Sequence, residues 1–498
     1  MIRVRLCPSP TGLLHIGTAR TALFNILFAR HNNGKVVFRM EDTDKERSTR
    51  EFEKDIIDGL KWLGISWDEG MEVGGPHQPY RQSERNDVYT PYIQKLLEKG
   101  SVYHCFCTTE KLDEDRQQAT EEKRASIYPG TCAHLTSEEV DDRLQKGIGS
   151  TLRFRVQPKT IVFHDLIRGD VEFDTSLIGD IIIAKDVHTP LYHLAVVIDD
   201  HEMGVTHVIR GEDHISNTPK QMLLIEALGF ALPTYGHLPI ILSTTGKGKM
   251  SKRRDPVSIT RDFRDKGYLP EAMINFMALL GWNPGTEQEI FSLDDLVSQF
   301  SFERVQKAGA IFNLEKLQWM NSQYIHALSH EELLMRTVPF LIEQGYVNGD
   351  ADGSEFVLKT GETITRKTLM GYVALEQERA KILAEIPPAI AFCFAQSLDY
   401  DPALLLWKEA SKEITKEMLV LGYDILKEIE DTDFNAAHLE ESLKAVISQK
   451  ELKNGMVLWP LRVALSGLQH SPSPFEIAHA LGKDRVLQRI QHAISMLG

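Results

Sequence analysis

Two short segments carry side chains suited to phosphate chemistry. The first is Pro8-Ser9-Pro10-Thr11-Gly12-Leu13-Leu14-His15-Ile16-Gly17-Thr18, set directly before a helical pattern. A turn-rich loop feeding a helix start gathers backbone N–H groups and the positive end of the helix dipole where a phosphate can sit, and Gly17 permits close approach. His15 is then placed to donate to a phosphate oxygen. Alone, the same residues also describe a turn with a surface histidine. The second segment, Lys249-Met250-Ser251-Lys252-Arg253, follows Gly246 and Gly248 and reads as a mobile basic loop. Adenylation displaces pyrophosphate and develops negative charge on phosphate oxygens, so pre-placed cations accelerate it without a covalent enzyme intermediate. Lys252 suits that task, and the two segments in this order are hard to obtain by chance.

The cysteines pose a separate question. Five in 498 residues do not read as a disulfide framework. Cys105 and Cys107 form Cys-x-Cys, and Cys132 and His134 form Cys-x-His after 24 intervening residues. Three thiolates and one imidazole would make a closed tetrahedral structural zinc site with no open catalytic position. Spacing alone leaves that alternative level with incidental buried thiols. Cys7 and Cys393 have no assignment.

The elements that must hold these residues alternate between strand and helix. Residues 2–6 read as a strand, TARTALFNILFARHNNG as a helix, KVVFRMED as a strand ending in acidic residues, and STREFEKDIIDGLKWLG as a capped helix. DIIIA, AVVIDD and VTHVIRGED repeat the strand texture, and helical NTPKQMLLIEALGF follows. Such alternation implies a parallel sheet with crossover helices. Residues 101–185, with most of the cysteines and the strand-like TLRFRV, TIVFHD and VEFD, look like an insertion splitting that α/β domain. A mixed segment, 251–330, leads to a region from 331 to 498 whose helical periodicity predicts an all-α architecture, including a helix through RKTLMGYVALEQERAKILAEI.

Length bounds the chain to several domains. With 42% hydrophobic and 26% charged residues it is an ordinary globular composition, and no apolar run approaches the roughly 18 residues of a membrane span. The N-terminal residues turn polar before a signal-peptide core can form, so the expected location is cytoplasmic, without a membrane partner. A net charge of −15 excludes holding a polyanion by overall attraction, so nucleic acid would be met by local basic patches such as GKGKMSKRR.

The two phosphate segments resemble the HIGH and KMSKS signatures of class I aminoacyl-tRNA synthetases. More narrowly, PSPTGLLHIGTARTALFN, MEDTD, YRQSER, YHLAVVIDDHEMGVTHVIRGEDH, KMSKR and FNLEKLQWMN are similar to bacterial glutamyl-tRNA synthetases. That resemblance implies a Rossmann-type catalytic domain in two halves (residues 1–100 and 186–250), an acceptor-stem insertion with a zinc site (101–185), a stem-contact domain (251–330) and an α-helical anticodon-binding region (331–498). It implies catalytic roles for His15, Gly17, Lys249, Ser251 and Lys252, and ATP contacts from Pro10, Thr11, Gly12, His15, Gly17 and Lys252. Arg5 and Arg210 would pair with glutamate carboxylates, Ser9 would add a hydrogen bond, Glu41 would hold the ammonium and Tyr192 would wall the pocket. A dianionic amino acid out of water needs such guanidinium forks. From residue type alone, structural ion pairs are the alternative for Arg5, Glu41 and Arg210.

The same resemblance brings tRNA(Glu), ATP and L-glutamate as partners, Mg2+ with ATP, one structural Zn2+ per chain on Cys105, Cys107, Cys132 and His134, and a monomer. It also implies that tRNA binds before activation. Cys7 stands where the family usually has Ala, Thr18 replaces the second His, Arg253 replaces the final Ser, and Val196 occupies a position that is Asn in some members. Glutaminyl enzymes usually carry β-barrel anticodon domains, and the truncated paralogue that glutamylates a tRNA base lacks the anticodon region. Arg379 falls near an Arg that reads the third anticodon base in discriminating members; a solvent-facing helix Arg is the equal alternative.

Overall fold

A strand buried on both faces must be apolar along its length, and the first two strands are. Val4, Leu6, Val36, Val37 and Phe38 are at most 3% exposed. In the computed structural model, which describes residues 1–250 and 255–498, β1 (Arg3–Leu6) and β2 (Lys35–Phe38) run parallel with Arg3 opposite Lys35. Helix α1 (Ile16–His31) crosses between them, and α2 (Arg50–Trp62) connects β2 to the parallel β3 (Glu69–Gly70). The cap expected at the start of α2 is Thr49, whose hydroxyl accepts from Phe52 N–H.

After α3 (Asn86–Glu98) the chain enters β4 (Val102–Cys105), α4 (Thr109–Glu121), α5 (Ser137–Gln145) and β5 (Thr151–Phe154). The hairpin β6 (Thr160–Asp165) and β7 (Gly169–Asp174) follows, then β8 (Ile181–Ala184), which joins β4 and β5 in an antiparallel sheet. The hairpin itself pairs elsewhere. Asp165 of β6 sits parallel to Tyr235 of β10 (Thr234–Leu238), extending the sheet that β10 makes with β9 (His207–Gly211). β9 in turn lies beside β1, with Thr206 N–H donating to Arg3 O at 2.9 Å.

One strand expectation is corrected. AVVIDD belongs to helix α6 (Tyr192–Glu202), not to a strand. Leu194 to Asp199 are all buried, so the helix shows no polar face and its short β-branched run carries no 3.6-residue signal. Helix α7 (Thr218–Leu228) packs with it in one hydrophobic cluster and ends at Gly229 in the left-handed region. Residues 270–314 cluster with this first unit; they hold α8 (Pro270–Leu279), α9 (Leu293–Gln299) and β12 (Ala310–Ile311), the last parallel to β11 (Ile241–Leu242).

The second unit comprises residues 266–269 and 315–498. It contains most of α10 (Leu314–Ala327), α11 (His330–Glu343), α12 (Arg366–Ala374) and the helices Lys412–Glu428, Ala436–Gln449, Asn454–Ser466, Pro474–Leu481 and Lys483–Met496. The region is helical as expected, with one exception to an all-α reading. β13 (Val347–Asn348), β14 (Glu355–Leu358) and β15 (Thr363–Thr365) form an antiparallel meander. Phe356, Leu358 and Ile364 turn inward between exposed neighbours, a period-2 pattern too short to stand out.

The long helix expected through residue 386 also stops early, at Ala374. Gln377 is buried, and its amide donates to the carbonyls of Ile325, His326 and Leu328 at 2.8–3.2 Å, satisfying the end of α10. Residues 375–379 therefore form a turn rather than a continued helix.

Candidate active site

Open parallel sheets bind ligands in the crevice at the carboxyl ends of their strands. Here β1 ends at Leu6 and β9 at Gly211, and beyond them lies a cavity of about 370 Å³. Arg5, Ser9, Glu41, Tyr192 and Arg210 line it together with His15, Gly17 and Lys249, so residues from five separate stretches of sequence meet in one space. Pro10, Thr11 and Gly12 do not line it: they form the turn ahead of α1, where Pro10 O accepts from Thr49 N–H. Ser251 and Lys252 lie outside the described residues.

His15 is the N-cap of α1, and its Nδ1 accepts from Gly17 N–H at 3.0 Å. The neutral ring then carries its proton on Nε2, the tautomer that donates. Ile16 N–H is taken by Val257 O and Ala19 N–H by His15 O, so three of the first four donors of α1 are committed. The anion-binding capacity expected of this helix start therefore resides in the imidazole and the dipole more than in free N–H groups. A Cβ on Gly17 would stand 3.3 Å from His15 Nδ1, so side chains there crowd the ring. Asp55 of α2 holds the loop from behind, accepting from Leu14 N–H at 2.7 Å and from Thr260 Oγ1 at 2.6 Å.

The basic loop leaves β11 as a tight hairpin. Ser243 N–H donates to Gly248 O, Met250 N–H returns to Ile241 O, and Gly246 and Gly248 take φ of 70° and 79°. Lys249 Nζ stands 2.8 Å from the Asp213 carboxylate, both side chains about half exposed.

Below the rim is a buried charge cluster. Arg39 pairs with Glu41 Oε1 at 2.8 Å and with Asp200 Oδ1 at 2.9 Å. Arg5 faces Asp200 at 3.5 Å, while Asp199 receives Arg85 Nε, Gln82 Nε2 and Tyr89 OH at 2.7–2.9 Å. Burial pushes the Glu41 carboxyl above its ordinary range against the pull of Arg39. Ion pairs thus account in part for Arg5 and Glu41, but not for Arg210. Its guanidinium, 5% exposed, donates to Gln221 Oε1 and Thr218 Oγ1 at 2.8 Å and to His237 Nε2 at 3.2 Å, and among the described residues it has no carboxylate partner. Burial lowers its pKa, the expected cost of a desolvated charge without a counter-ion.

Burial also pushes Tyr192 up to about 12 and His193 and His214 down to about 4, so the tyrosine and both histidines are neutral at pH 7. Of the charged side chains lining the cavity itself, Arg5, Arg20, Arg210 and Lys249 are basic and Glu41 and Asp213 acidic, so basic groups predominate. Burial pushes the Cys7 thiol on the same wall up to about 12. Arg39, Arg85, Asp199 and Asp200 were not singled out from the sequence; the available hint was a pair of acidic residues inside the apolar VVIDD run.

In the insertion, Cys105, Cys107 and Cys132 bring their sulfurs within 4.8 Å of one another. Zn–S bonds of about 2.3 Å in a tetrahedron separate neighbouring sulfurs by about 3.8 Å; Cys107 Sγ and Cys132 Sγ are 3.7 Å apart. Burial raises the Cys105 thiol, but the Tyr128 hydroxyl and Arg153 Nε, 3.5 and 3.2 Å away, outweigh it and bring it below its ordinary range. The donor set fits a zinc ion in three of its four expected positions. His134 is exposed and does not join; the turn after Cys132 directs it outward, and the Tyr128 hydroxyl is also 3.4 Å from Cys107 Sγ. All five cysteines are free thiols.

In the second unit, Arg379 is exposed in the turn after α12, with Nη1 on Leu375 O at 2.9 Å, so it is a turn residue and not the helix residue expected.

Residues 1–319 match the family described as tRNA synthetases class I (E and Q), catalytic domain, and residues 332–494 match an anticodon binding domain. The chain belongs to the class I tRNA synthetases of the glutamate and glutamine type. It is 44% identical over 499 residues to a glutamate–tRNA ligase of Carboxydothermus hydrogenoformans, covering 99% of each chain. It is 42% identical to glutamate–tRNA ligase 2 of Thermoanaerobacter pseudethanolicus, covering 100% of this chain and 98% of that one. A glutamate tRNA ligase of Elizabethkingia meningosepticum, solved in complex with its amino acid, superposes with a TM-score of 0.86 at 34% identity over the full length of both chains. Within the class, the chain is a member of the glutamate–tRNA ligases. No helix among the described residues is long and apolar enough to cross a membrane.

Proposed function

We propose that this enzyme joins L-glutamate to ATP as glutamyl-adenylate, releasing pyrophosphate, and passes the acyl group to the terminal ribose of tRNA(Glu), releasing AMP. The observation that carries the choice of amino acid is Arg210, a buried guanidinium lining the cavity that has no carboxylate partner among the described residues. Glutamate carries a side-chain carboxylate where glutamine has a neutral amide, so of the two only glutamate gives that guanidinium a counter-charge from its side chain.

In this reading Arg5 and Arg210 receive the two carboxylates, Ser9 adds a hydrogen bond, Glu41 holds the ammonium and Tyr192 closes the wall. His15 Nε2–H and the start of α1 face the ATP phosphates, with Pro10, Thr11, Gly12 and Gly17 shaping the approach. Lys249, Ser251 and Lys252 act on the departing pyrophosphate. A glutamate carboxylate oxygen attacks the α-phosphorus and the bond to pyrophosphate breaks; the ribose hydroxyl then attacks the acyl carbon and AMP leaves. Mg2+ accompanies ATP and shares its phosphate charge. One structural Zn2+ is held by Cys105, Cys107 and Cys132, pinning the insertion that contacts the acceptor end. The enzyme is a cytoplasmic monomer, and tRNA binds before activation.

Charging purified tRNAs with labelled glutamate and glutamine tests the whole reading: glutamate alone should be incorporated, and incorporation of glutamine would overturn it. The finer assignment is that Arg379 lets the enzyme separate tRNA(Glu) from tRNA(Gln). Arg379→Ala should then charge glutamine tRNA more readily; unchanged discrimination leaves Arg379 as surface.

A further inference from the structure

The partners of Arg210 are themselves held by a buried chain that begins in the insertion. His237 of β10 and Asp165 of β6 are both fully buried, and His237 Nδ1 lies 2.6 Å from Asp165 Oδ2. The other Asp165 oxygen accepts from Ile167 N–H, Arg168 N–H and His237 N–H at 2.9–3.2 Å. A carboxylate with every oxygen filled by donors stays ionised, and it fixes the His237 proton on Nδ1. His237 Nε2 is therefore an acceptor, and what it meets is Arg210 Nε at 3.2 Å and Thr218 Oγ1 at 3.0 Å. Thr218 in turn accepts from Arg210 Nη2.

We propose that Asp165 and His237 are positioning residues for glutamate recognition: the β6–β7 turn of the insertion sets the imidazole tautomer, and the imidazole aims the Arg210 guanidinium at a substrate carboxylate. The proposal rests on the assignment of Arg210 to glutamate. A guanidinium that bonds a carboxylate bidentately must be held in plane, and three neutral acceptors hold Arg210 without supplying a charge that would compete with the substrate. The arrangement also places the amino-acid pocket and the insertion on one hydrogen-bonded line, since Asp165 pairs with β10 at Tyr235 only two residues from His237.

The two ring nitrogens can be removed separately. In His237→Asn the amide N–H replaces Nδ1–H towards Asp165 but nothing reaches Arg210; in His237→Gln the side-chain oxygen replaces Nε2 and still accepts from Arg210. Steady-state charging kinetics on the full-length enzyme should show KM for glutamate raised roughly tenfold or more in His237→Asn, with KM for ATP unchanged, and most of that loss recovered in His237→Gln. Asp165→Asn, which presents a donor to Nδ1 and turns the tautomer over, should behave like His237→Asn.

Arg210→Gln serves as the reference. If it raises KM for glutamate while His237→Asn and Asp165→Asn do not, the positioning role is overturned and the Arg210 assignment stands. If Arg210→Gln itself leaves KM for glutamate unchanged, both fall. Equal losses for ATP and glutamate in the His237 pair, or no difference between Asn and Gln, would also overturn the proposal.

Discussion

His15 and Ser258 face each other as an antiparallel bridge, so the turn that opens α1 shares backbone hydrogen bonds with the segment that follows the basic loop. Ile16 N–H donates to Val257 O and Ile259 N–H to Leu14 O. The turn before α1 is thus registered by main chain against residues 257–259, which follow the basic loop in sequence, and Asp55 clamps the pair by accepting from Leu14 and Thr260. Asp55→Ala removes both bonds, and donors left unpaired cost about 1–3 kcal/mol each when buried. KM for ATP should rise while KM for glutamate stays put. An equal rise in both would assign Asp55 to general folding.

Lys252→Ala should lower the rate of glutamate-dependent pyrophosphate exchange by about 10²–10³-fold, the usual cost of removing one pre-placed donor from developing charge. Lys249→Ala should cost much less, because its ammonium is half exposed and already paired with Asp213. An exchange rate unchanged by Lys252→Ala would rule that residue out.

The zinc reading separates the cysteines from the histidine. Metal analysis should find about one zinc per chain in the parent enzyme and a loss in Cys132→Ser, with weakened tRNA charging as the insertion loosens. His134→Ala should keep its zinc, since that side chain is exposed and apart from the three sulfurs. Loss of zinc in His134→Ala would return His134 to the ligand set.

His214 supplies a pH prediction. Burial, then the nearby Arg210, push its pKa down from 6.5 to about 4, and the neutral ring meets the Tyr192 hydroxyl at 3.2 Å. The unfolded chain takes up this proton below about pH 6.5 and the folded chain only near 4, so His214 weakens stability progressively as pH falls from 6.5 to 4 and has no effect above that window. The imidazole resonance absent from His214→Asn should stay at its neutral position from pH 8 to about 5. A midpoint near 6.5 would show the ring to be solvated.

Sequence alone determined what depends on residue type and short spacing. The turn and helix start around His15, the Thr49-capped helix and the strand–helix alternation at β1, α1 and β2 were legible because their partners lie within a few residues, where local geometry decides the contact. Tertiary structure decided the rest. The central residues of α6, Leu194 to Asp199, are all buried, which erases the periodicity that would announce a helix. The turn at 375–379 exists because Gln377 reaches carbonyls about 50 residues away. His134 falls outside the sulfur cluster because backbone direction after Cys132, not ligand spacing, aims it. Most of all, Arg210 could be named from sequence but not understood: whether a buried guanidinium sits against a carboxylate or against neutral acceptors depends on His237, 27 residues on, and on Asp165, 72 residues before that. Side-chain charge is a property of residue type, but its desolvation and its partners are properties of the packed interior.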